Sequence, residues 1–495
     1  MKRAKFSLSH YNLFSCDMGE LIPCGLTEVL PGDTIQQATS ALIRVTPMVA
    51  PPMHPVHVRI HHWYVPHRII WEDFEDFITG GPDGMDESVF PTIDITGKNQ
   101  TGTLADYLGI PPGTLEDPFV SALPFRAYAL IFNEWYRDQD LIDPLSISNE
   151  SGVDAVTNTV LRRIAWEKDY FTSSRPFDQK GPTVTVPFAG TADVTGSGTF
   201  NSGNAFGTRT GSGAGTNPKS FLQNVDRMDV TPTSTGSGPI NIQVPINRAD
   251  IASGLAVNMS SVSAVNINDL RKAFAMQRYE EARARYGSRY TEYLRYLGVR
   301  SSDARLQRPE YLGGGKQTIQ FSEVLQTAPG GEAGVGSLYG HGISAMRSNR
   351  YRRFIEEHGY IVTMLSVKPR TIYTQGLART FNRRTKEDFF QKELQHIGQQ
   401  EILNKELYAM NANPNDTFGY QDRYDDYRRT ESRVSGEFRT SALDHWHFAR
   451  TFANAPVLNG DFVEANPTKR VFAEQTQDSL YVMANHSIQA CRCCN

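Results

Sequence analysis

The sequence predicts a mainly β protein, an eight-stranded antiparallel jelly roll whose very long loop insertions contain several helices. Aromatic residues make up 11% of the 495 residues, and 40 glycines and 27 prolines favour strands joined by many turns. Roughly eight short segments alternate in the way that strands do. Eight strands in two packed sheets form a jelly roll, and strands of about six residues leave most of the chain in its connections.

Charge and hydropathy narrow the class of protein. The formal net charge of −4 argues against a protein that coats nucleic acid with its whole surface, although it allows a local basic patch. No apolar run approaches the roughly 20 residues that span a bilayer, and residues 1–14 lack the apolar segment of a signal peptide. We therefore expect no membrane insertion. The five cysteines cluster at the two ends, which favours free thiols and folding in a reducing cytoplasm.

The chain begins with an expected arm and two strands. Residues 1–40 show no sustained period and predict an N-terminal arm that is ordered by the surface it lies against. Segments 41–49 and 56–65 alternate as strands, the second more clearly. The arm has three basic residues that either contact DNA from inside a particle or form a solvated terminus. These residues are Lys2, Arg3 and Lys5.

Helical spacing follows in three places. Residues 66–81 put Ile70, Phe74, Phe77 and Ile78 on one face, with carboxylates on the other. Residues 123–141 form a second amphipathic pattern, and residues 266–297 carry two tyrosine-rich stripes. Gly287 divides these stripes and Gly298 is placed to end the second.

An irregular loop is predicted directly after the tyrosine-rich helices. Pro309 and the three glycines at 313–315 argue against both helix and strand across 306–315. We interpret GGGK at 313–316 as a turn, because Glu310 and Gln317 stand where a phosphate-binding loop needs Gly and Ser or Thr. With the tyrosine stripes, this loop is expected to cover the barrel or to meet a neighbouring subunit.

The second half supplies the remaining strands and a long polar tract. Residues 357–369 are apolar on both faces, which predicts a strand buried on both sides. Further strand candidates are 183–188, 240–246, 433–439 and the segment that begins at 479. Residues 190–238 are rich in Gly, Ser, Thr and Asn, and form either a disordered linker or a surface insertion ordered by other copies of the chain.

The usual chemistry-bearing patterns favour structural interpretations. His57 and His61 share one strand face but lie about 13 Å apart at ~3.3 Å per residue, so with His54, His62 and His67 they form no metal site. Cys491, Cys493 and Cys494 lack a second half with zinc-binding spacing. The carboxylates at 72–76 lie opposite an aromatic face and are interpreted as solvated. We therefore predict no catalytic residue, no metal and no cofactor.

One stretch interleaves basic and aromatic residues. Alternating Arg and Tyr can follow a phosphate backbone and stack on bases, but acidic neighbours cancel much of the charge. The segment forms either a salt-bridged surface between subunits or a nucleic-acid contact, and we expect charge reversal at Arg428 and Arg429 to disrupt assembly or packaging. Its residues are Arg423, Tyr424, Tyr427, Arg428, Arg429 and Arg433.

Long strings spread over the chain resemble one family. They lie at 61–81, 123–141, 268–294, 301–314, 357–377, 396–408 and 418–429. In these strings the sequence resembles the major capsid proteins of the Microviridae, in the gokushovirus-like branch of single-stranded DNA bacteriophages. The tract at 190–238 and the cysteine-bearing C-terminus resemble no sequence segment of this family.

The resemblance implies a viral jelly roll, a single capsid domain over 1–495, and sixty copies in a T=1 icosahedral shell around circular single-stranded DNA. It implies four protein partners: an internal scaffolding protein, a small basic DNA-binding protein, a DNA-pilot protein and a receptor on the bacterial host surface. It places the protein in the virion capsid after assembly in the host cytoplasm. By position, 190–238 corresponds to the insertion that protrudes near the threefold axes and is involved in host attachment. The alternative function is a jelly-roll protein that binds or hydrolyses glycans.

Overall fold

The computed structural model describes residues 3–185, 194–195, 256–257, 267–287, 289–327 and 334–492. Contacts divide the chain into two compact units, one of Met1–Gly181 with Tyr279–Asn495 and one of Pro182–Arg278. Within the second unit, the short strands β9 (Val194–Thr195) and β10 (Ala256–Val257) pair antiparallel. No helix in the described ranges is long and apolar enough to cross a membrane.

Strands account for most of the regular structure in the first unit. In chain order they are β1 Ala4–Ser7, β2 His10–Cys16, β3 Leu21–Val29, β4 Thr34–Val45, β5 Val56–Pro66, β6 Thr92–Asp94, β7 Phe119–Ser121, β8 Val153–Asp154, β11 Glu310–Thr318, β12 Gln320–Leu325, β13 Leu338–Arg347, β14 Tyr351–Phe354, β15 Gly359–Pro369, β16 Gln399–Leu403, β17 Thr417–Asp422 and β18 Leu480–Arg492.

The helices lie in the connections between strands, and all except the 20-residue α4 are short. They are α1 Phe74–Thr79, α2 Leu104–Tyr107, α3 Leu123–Ile131, α4 Ile267–Tyr286, α5 Tyr290–Tyr296, α6 Asn404–Leu407 and α7 Gly460–Val463. A π-helical turn, Phe132–Tyr136, continues α3. Short 3-10 turns occur at His67–Ile69, Arg379–Phe381, Lys386–Asp388, Lys392–Leu394, Asp425–Tyr427, Gly436–Arg439 and Asp444–Trp446.

Two antiparallel sheets form the centre of this unit. The seven-stranded sheet has the order β1–β18–β4–β13–β12, with β2 continuing the line of β1 beside β18 and β14 continuing that of β13 beside β4. The four-stranded sheet has the order β11–β5–β15–β3. Alternate residues of both sheets point inward and are fully buried, among them Ile43 on β4, Ile60 on β5 and Val482 on β18. The core therefore lies between the two sheets.

The outer face of the four-stranded sheet is covered by residues that follow β5, within 67–166. Trp63 and Met364 on this face belong to one buried cluster with Phe125, Tyr128 and Phe132 of the α3 segment. Full burial of each such side chain stabilises the fold by roughly 1.5–3 kcal/mol. β15 is thus buried on both faces, as the apolar sequence of 357–369 predicted.

The connection between β15 and β18 builds a second cluster of aromatic residues. Tyr373 and Phe462 pack with Phe171, which comes from the earlier insertion. The guanidinium of Arg450 lies 4.3 Å from the ring centroid of Phe462 and 5.2 Å from that of Trp166. Cation–π contacts of this kind compensate for the partial burial of the cation. The β16–β17 hairpin packs on the same cluster through Ile402 and Phe418.

The N-terminal residues form strands, although residues 1–40 show no sustained period in the sequence. β1, β2 and β3 all precede residue 34, where β4 begins. Two residues of β3 interrupt the strand pattern in the sequence. Pro23 lies on β3 at the edge of its sheet, where a missing donor disrupts no ladder. Gly25 leaves room for His486, since a Cβ there would lie 2.8 Å from the imidazole ring.

The glycine-rich segment after Pro309 is also a strand, which corrects its prediction as a turn. β11 contains all three glycines and pairs with β5 through a bulge between Tyr311 and Gly313. A Cβ on Gly314 would lie 2.2 Å from the carbonyl oxygen of Ile60, and one on Gly315 would lie 3.0 Å from Cα of Ser348. Here glycine permits a close approach of backbones rather than a reversal of the chain.

Three smaller predictions differ from the structure. Residues 433–439 were expected to be a strand, but contain the 3-10 turn Gly436–Arg439. The helices predicted over 66–81 and 123–141 shorten to α1 and α3, although Gly80 ends α1 in the left-handed conformation that its sequence suggested. The strand candidates 183–188 and 240–246 lie partly or wholly outside the described residues.

Candidate functional site

The basic and aromatic segment at 423–433 follows the β16–β17 hairpin. Tyr424 directly after β17 has a φ of 64° and is 3% exposed, so its ring is not available to stack on a base. Its hydroxyl donates to the carbonyl oxygen of Glu387 at 3.3 Å and accepts from the backbone N–H of Gln391 at 3.2 Å. Tyr424 therefore anchors the 386–391 loop.

Two of the four arginines in this segment are engaged within the subunit. Arg423 donates from Nε to the carbonyl oxygen of Ile397 at 2.9 Å. Arg429 pairs with Asp425 at 2.8 Å and donates to the hydroxyl of Ser173 at 3.1 Å. The salt bridges that the mixed sequence suggested thus form, at least here, inside one copy of the chain.

The remaining members of the segment are exposed. Tyr427 is 51% exposed, and one face of its ring is covered by the guanidinium of Arg383 at 3.9 Å from the centroid. Arg383 itself pairs with Asp426. Arg428 and Arg433 are exposed and form no ion pair with any residue that the structure describes. These two cations are the part of the segment that can meet another molecule.

A half-buried carboxylate, Glu431, lies within this segment. Burial, reinforced by the charge of Asp169, raises the pKa of Glu431 to about 7. Asp169 in turn accepts a hydrogen bond from the hydroxyl of Tyr373 at 2.8 Å. The charge of the 423–433 segment therefore depends on pH near neutrality.

The predicted N-terminal DNA contacts lie on the edge of the seven-stranded sheet. Lys5 is exposed on β1, and the guanidinium of Arg3 lies 5.3 Å from the ring centroid of Phe354 on β14. Lys2 lies outside the described residues. Among the described residues, neither Arg3 nor Lys5 contacts the 423–433 segment.

The histidines are used as hydrogen-bonding groups. His62 contacts the hydroxyls of Thr363 and Ser348 at 3.0 Å each, and His61 contacts that of Tyr136 at 2.7 Å. Among the residues with described positions, no group of three or more His, Cys, Asp or Glu side chains is arranged to hold a metal. Of the terminal cysteines only Cys491 is described, and it is a free thiol.

Sequence reasoning missed the basic residues of the seven-stranded sheet. Arg44, Arg347 and Arg352 occupy outward positions on β4, β13 and β14 and are exposed. The signal was a cation at alternate positions of strands whose other face is apolar. It could be found only after the strands themselves were identified.

Comparison with known proteins gives one family and several relatives of similar length. Residues 1–493 match the family described as capsid protein (F protein). The capsid protein VP1 of Bdellovibrio phage phiMH2K is 35% identical over 483 residues, which cover 94% of this chain and 88% of that protein. The capsid protein VP1 of Chlamydia phage 1 is 32% identical over 549 aligned positions, which cover 96% of this chain and 92% of that protein. The capsid protein VP1 of Spiroplasma virus 4 is 33% identical over 496 residues, which cover 93% of this chain and 87% of that protein.

Proposed function

The chain belongs to the capsid protein (F protein) family, and from this premise we propose that sixty copies assemble into a T=1 icosahedral shell around circular single-stranded DNA. It is a structural phage capsid protein rather than an enzyme, as its family and relatives are. The observation that carries the proposal is the length of the match, which includes the insertions as well as the sheets.

We also propose that the two central sheets are a viral jelly roll. β2, β18, β4 and β13 lie side by side in one sheet, and β3, β15, β5 and β11 lie side by side in the other. Taken in chain order, these eight strands alternate between the sheets except at β5 and β11, which are paired in the same sheet, and the last strand lies beside the first. Two interlocked Greek keys give this order, which supports the jelly-roll assignment.

Shell stability is expected to come from many modest contacts per copy. Closed point-group symmetry repeats each contact over the whole particle, so no single interface needs high affinity. One surface suited to such a contact is formed by four neighbouring tyrosines at the end of α4 and along α5, which we call the tyrosine surface. Its residues are Tyr286, Tyr290, Tyr293 and Tyr296, which are 45–66% exposed. Aromatic residues of this kind are enriched in protein interfaces.

The remaining proposals concern partners and position. The resemblance supports an internal scaffolding protein, a small basic DNA-binding protein and a DNA-pilot protein as partners, with assembly in the host cytoplasm. It also supports a host-receptor role, near the threefold axis, for the insertion at 190–238, of which the structure describes only 194–195. If this insertion is external, its deletion leaves particle formation intact; loss of particles would contradict that placement.

Electron microscopy and sedimentation of the purified full-length chain test the central proposal. We expect spherical particles of uniform diameter that contain nuclease-protected DNA when the chain is expressed with its genome. A preparation that stays monomeric and hydrolyses a glycan would instead support the alternative class, a jelly-roll enzyme.

The role of the 423–433 segment is tested separately, by comparing single substitutions of Arg428 and Arg429. Arg428→Glu reverses an exposed cation, whereas Arg429→Glu also breaks the pair with Asp425 at 2.8 Å. If the segment contacts a neighbour or DNA, Arg428→Glu lowers the yield of DNA-filled particles while the unassembled chain keeps its unfolding temperature. A normal yield from Arg428→Glu, with a defect only in Arg429→Glu, would show that the segment acts within the subunit.

A further inference from the structure

Four nitrogen-bearing side chains meet at one end of the outer face of the four-stranded sheet. The strand registers place Lys368 of β15 opposite His57 of β5, and Lys316 of β11 opposite Arg59 of β5. Directly opposite residues share a face, with Cβ atoms about 4.5–5.5 Å apart, and alternate residues of one strand share it too. Burial and the charge of Lys316 lower the pKa of His57, so this ring is mainly neutral at pH 7.5. The sheet therefore brings two lysines and one arginine together.

Among the described residues, one carboxylate lies against these three side chains. Glu167, in the connection that crosses this end of the sheet, accepts from Nη2 of Arg59 at 2.9 Å and lies 3.7 Å from Nζ of Lys316. Nε of Arg59 is buried and has no hydrogen-bond partner in the described part of the chain. Nζ of Lys368 donates to the carbonyl oxygen of Ala165 at 2.7 Å, which compensates no charge. The cluster therefore holds more positive than negative charge.

This crowding keeps the amine of Lys368 partly neutral. Burial and the charges of Arg59, Lys168 and Lys316 lower the pKa of Lys368 to about 8, while Glu167 acts in the opposite direction. At pH 7.5 about a quarter of the chains would then carry the free amine, against roughly one in a thousand for an ordinary lysine. A neutral amine is a nucleophile, whereas an ammonium group has no lone pair to donate.

We propose that Lys368 is a carbamylation site that reacts reversibly with carbon dioxide. The lone pair of the neutral amine attacks the carbon of carbon dioxide, and one C=O electron pair moves onto oxygen. The nitrogen then releases one proton to solvent, which leaves a carbamate, –NH–COO⁻, without any oxidant or further reactant. The reaction replaces a cation by an anion. The cluster changes from three cations and one carboxylate to two cations and two carboxylates.

The surrounding groups are suited to hold this carbamate. Its remaining N–H can keep the hydrogen bond to the carbonyl oxygen of Ala165, and the unpartnered Nε of Arg59 offers a donor to its oxygens. Hydrogen bonds between a guanidinium and a carboxylate are about twice as strong as those between neutral groups. Lys316, opposite Arg59, supplies the second cation. Because carbon dioxide has only three atoms, the reaction needs no cleft at the site.

Chemical trapping tests the modification in the purified full-length chain. The chain is equilibrated with isotope-labelled bicarbonate at pH 7.5, treated with triethyloxonium ion to esterify carbamates, and digested for mass spectrometry. We expect the label on Lys368 to exceed that on Lys386 at least about tenfold, because the free amine of Lys368 is far more populated than that of an ordinary lysine. Lys386 is the internal comparison because 87% of its side chain is exposed. Equal labelling of the two lysines, or none on Lys368, would overturn the proposal.

The variant R59Q/K316Q tests whether the neighbouring cations produce the reactivity. It keeps Lys368 but removes both groups that lower its pKa and hold the carbamate, so its label should fall at least about fivefold. The matched control R295Q/K392Q removes the same charges from exposed positions and should keep the parental labelling. Equal labelling of Lys368 in the two variants would overturn the assigned site.

Folding of R59Q/K316Q is checked by its unfolding temperature. If this variant does not fold, the comparison of Lys368 with Lys386 in the parent decides by itself. Both measurements use the unassembled chain, so their outcome does not depend on the proposed shell. A chain that is labelled on Lys368 but forms no particles would contradict the proposed assembly and support the carbamylation site.

Discussion

The guanidinium of Arg126 on α3 is wholly buried, as is its partner Asp154 on β8. Nε of Arg126 donates to a carboxylate oxygen of Asp154 at 2.8 Å, and the other two nitrogens donate to the carbonyl oxygens of Ile70 and Glu150. Burial alone would raise the pKa of Asp154, but hydrogen bonds from Thr157 and Arg126 together lower it. The carboxylate is therefore charged at neutral pH.

Arg126→Met should destabilise the chain strongly because it leaves Asp154 as an unpaired buried charge. Breaking such a pair typically costs about 3–5 kcal/mol of unfolding free energy. Folding lowers the pKa of Asp154, so its ionised carboxylate stabilises the parent at any pH above the pKa that Asp154 has in the unfolded chain. This stabilisation is lost as the pH falls through the lower pKa of the folded chain. Urea unfolding of the unassembled chain measures the cost.

Lys386→Met provides the control for this measurement. Lys386 pairs with Glu387 at 3.7 Å on the surface, with 87% of its side chain exposed. Its removal should change stability by less than about 0.5 kcal/mol. A similar small effect for Arg126→Met would show that the buried pair is not needed for folding.

A layer of polar residues crosses the middle of the apolar core between the sheets. His62 on β5 and His486 on β18 are both 0% exposed. His486 contacts the hydroxyl of Thr39 and the carbonyl oxygen of Cys24, each at 3.0 Å. Burial lowers the pKa of His62 to about 3 and that of His486 to about 4. Both rings are thus neutral in the folded chain.

These histidines should make the fold sensitive to acid. The unfolded pKa of histidine is about 6.5, so unfolding takes up protons below that pH and stability falls as pH decreases towards 4. Each histidine contributes a slope of about 1.4 kcal/mol per pH unit in this window. His486→Gln should reduce the slope between pH 6 and 4.5 by that amount, measured by urea unfolding.

The exposed His396 gives the matched control for that slope. Other buried histidines contribute to the total slope, so the quantity compared is the difference between variant and parent. His396→Gln removes an imidazole from the surface and is the variant against which the effect of His486→Gln on the slope is compared. Equal slopes for His486→Gln and the parent would mean that His486 does not titrate on unfolding.

At the scale of elements, β11 shows how a strand can depend on residues that usually argue against one. Its Gly314 faces the carbonyl oxygen of Ile60, and a Cβ at that position would lie 2.2 Å from this oxygen. Gly314→Ala therefore has to separate β11 from β5. Overpacking of this kind costs about 1–3 kcal/mol or somewhat more.

Gly334→Ala is the comparison for this substitution. Gly334 has no atom within 4 Å of an added Cβ and no positive φ. We expect a change within about 0.5 kcal/mol there, against a clear loss for Gly314→Ala, both read from thermal unfolding. Equal effects at the two positions would mean that β11 tolerates the separation.

The elements that the sequence predicted well are those whose own pattern determines their structure. β5 and β15 have apolar residues on their buried faces, and Gly287 and Gly298, with φ of 94° and 80°, mark the ends of α4 and α5. β1, β2, β3 and β11 were missed because edge position and close backbone approach are properties of the assembled sheets. The same holds for the site: Tyr424 looked like a stacking residue, but tertiary contacts bury it.

At the scale of the whole molecule, the tyrosine surface is fixed in place without being covered. Glu292 of α5 accepts from the side-chain amide of Gln139 at 2.8 Å, and Arg289 donates to the carbonyl oxygen of Asn133. The rings of Tyr286 and Tyr296 are in contact, with centroids 4.4 Å apart and 34° between their planes. Because α5 is held by these polar contacts, its tyrosines contribute little to folding of one copy and are available to a neighbour.

Replacing Tyr290, Tyr293 and Tyr296 together with Ser should therefore separate assembly from folding. We expect the unassembled chain to unfold within about 1 kcal/mol of the parent, because the three rings are exposed. Assembly should fall at least tenfold in particle yield by sedimentation, since buried aromatic anchors carry much of the energy of an interface. The control replaces Phe381, Met410 and Val457, which are 69%, 64% and 69% exposed, with Ser. Normal particles from the tyrosine variant would place the contacts between copies elsewhere on the chain.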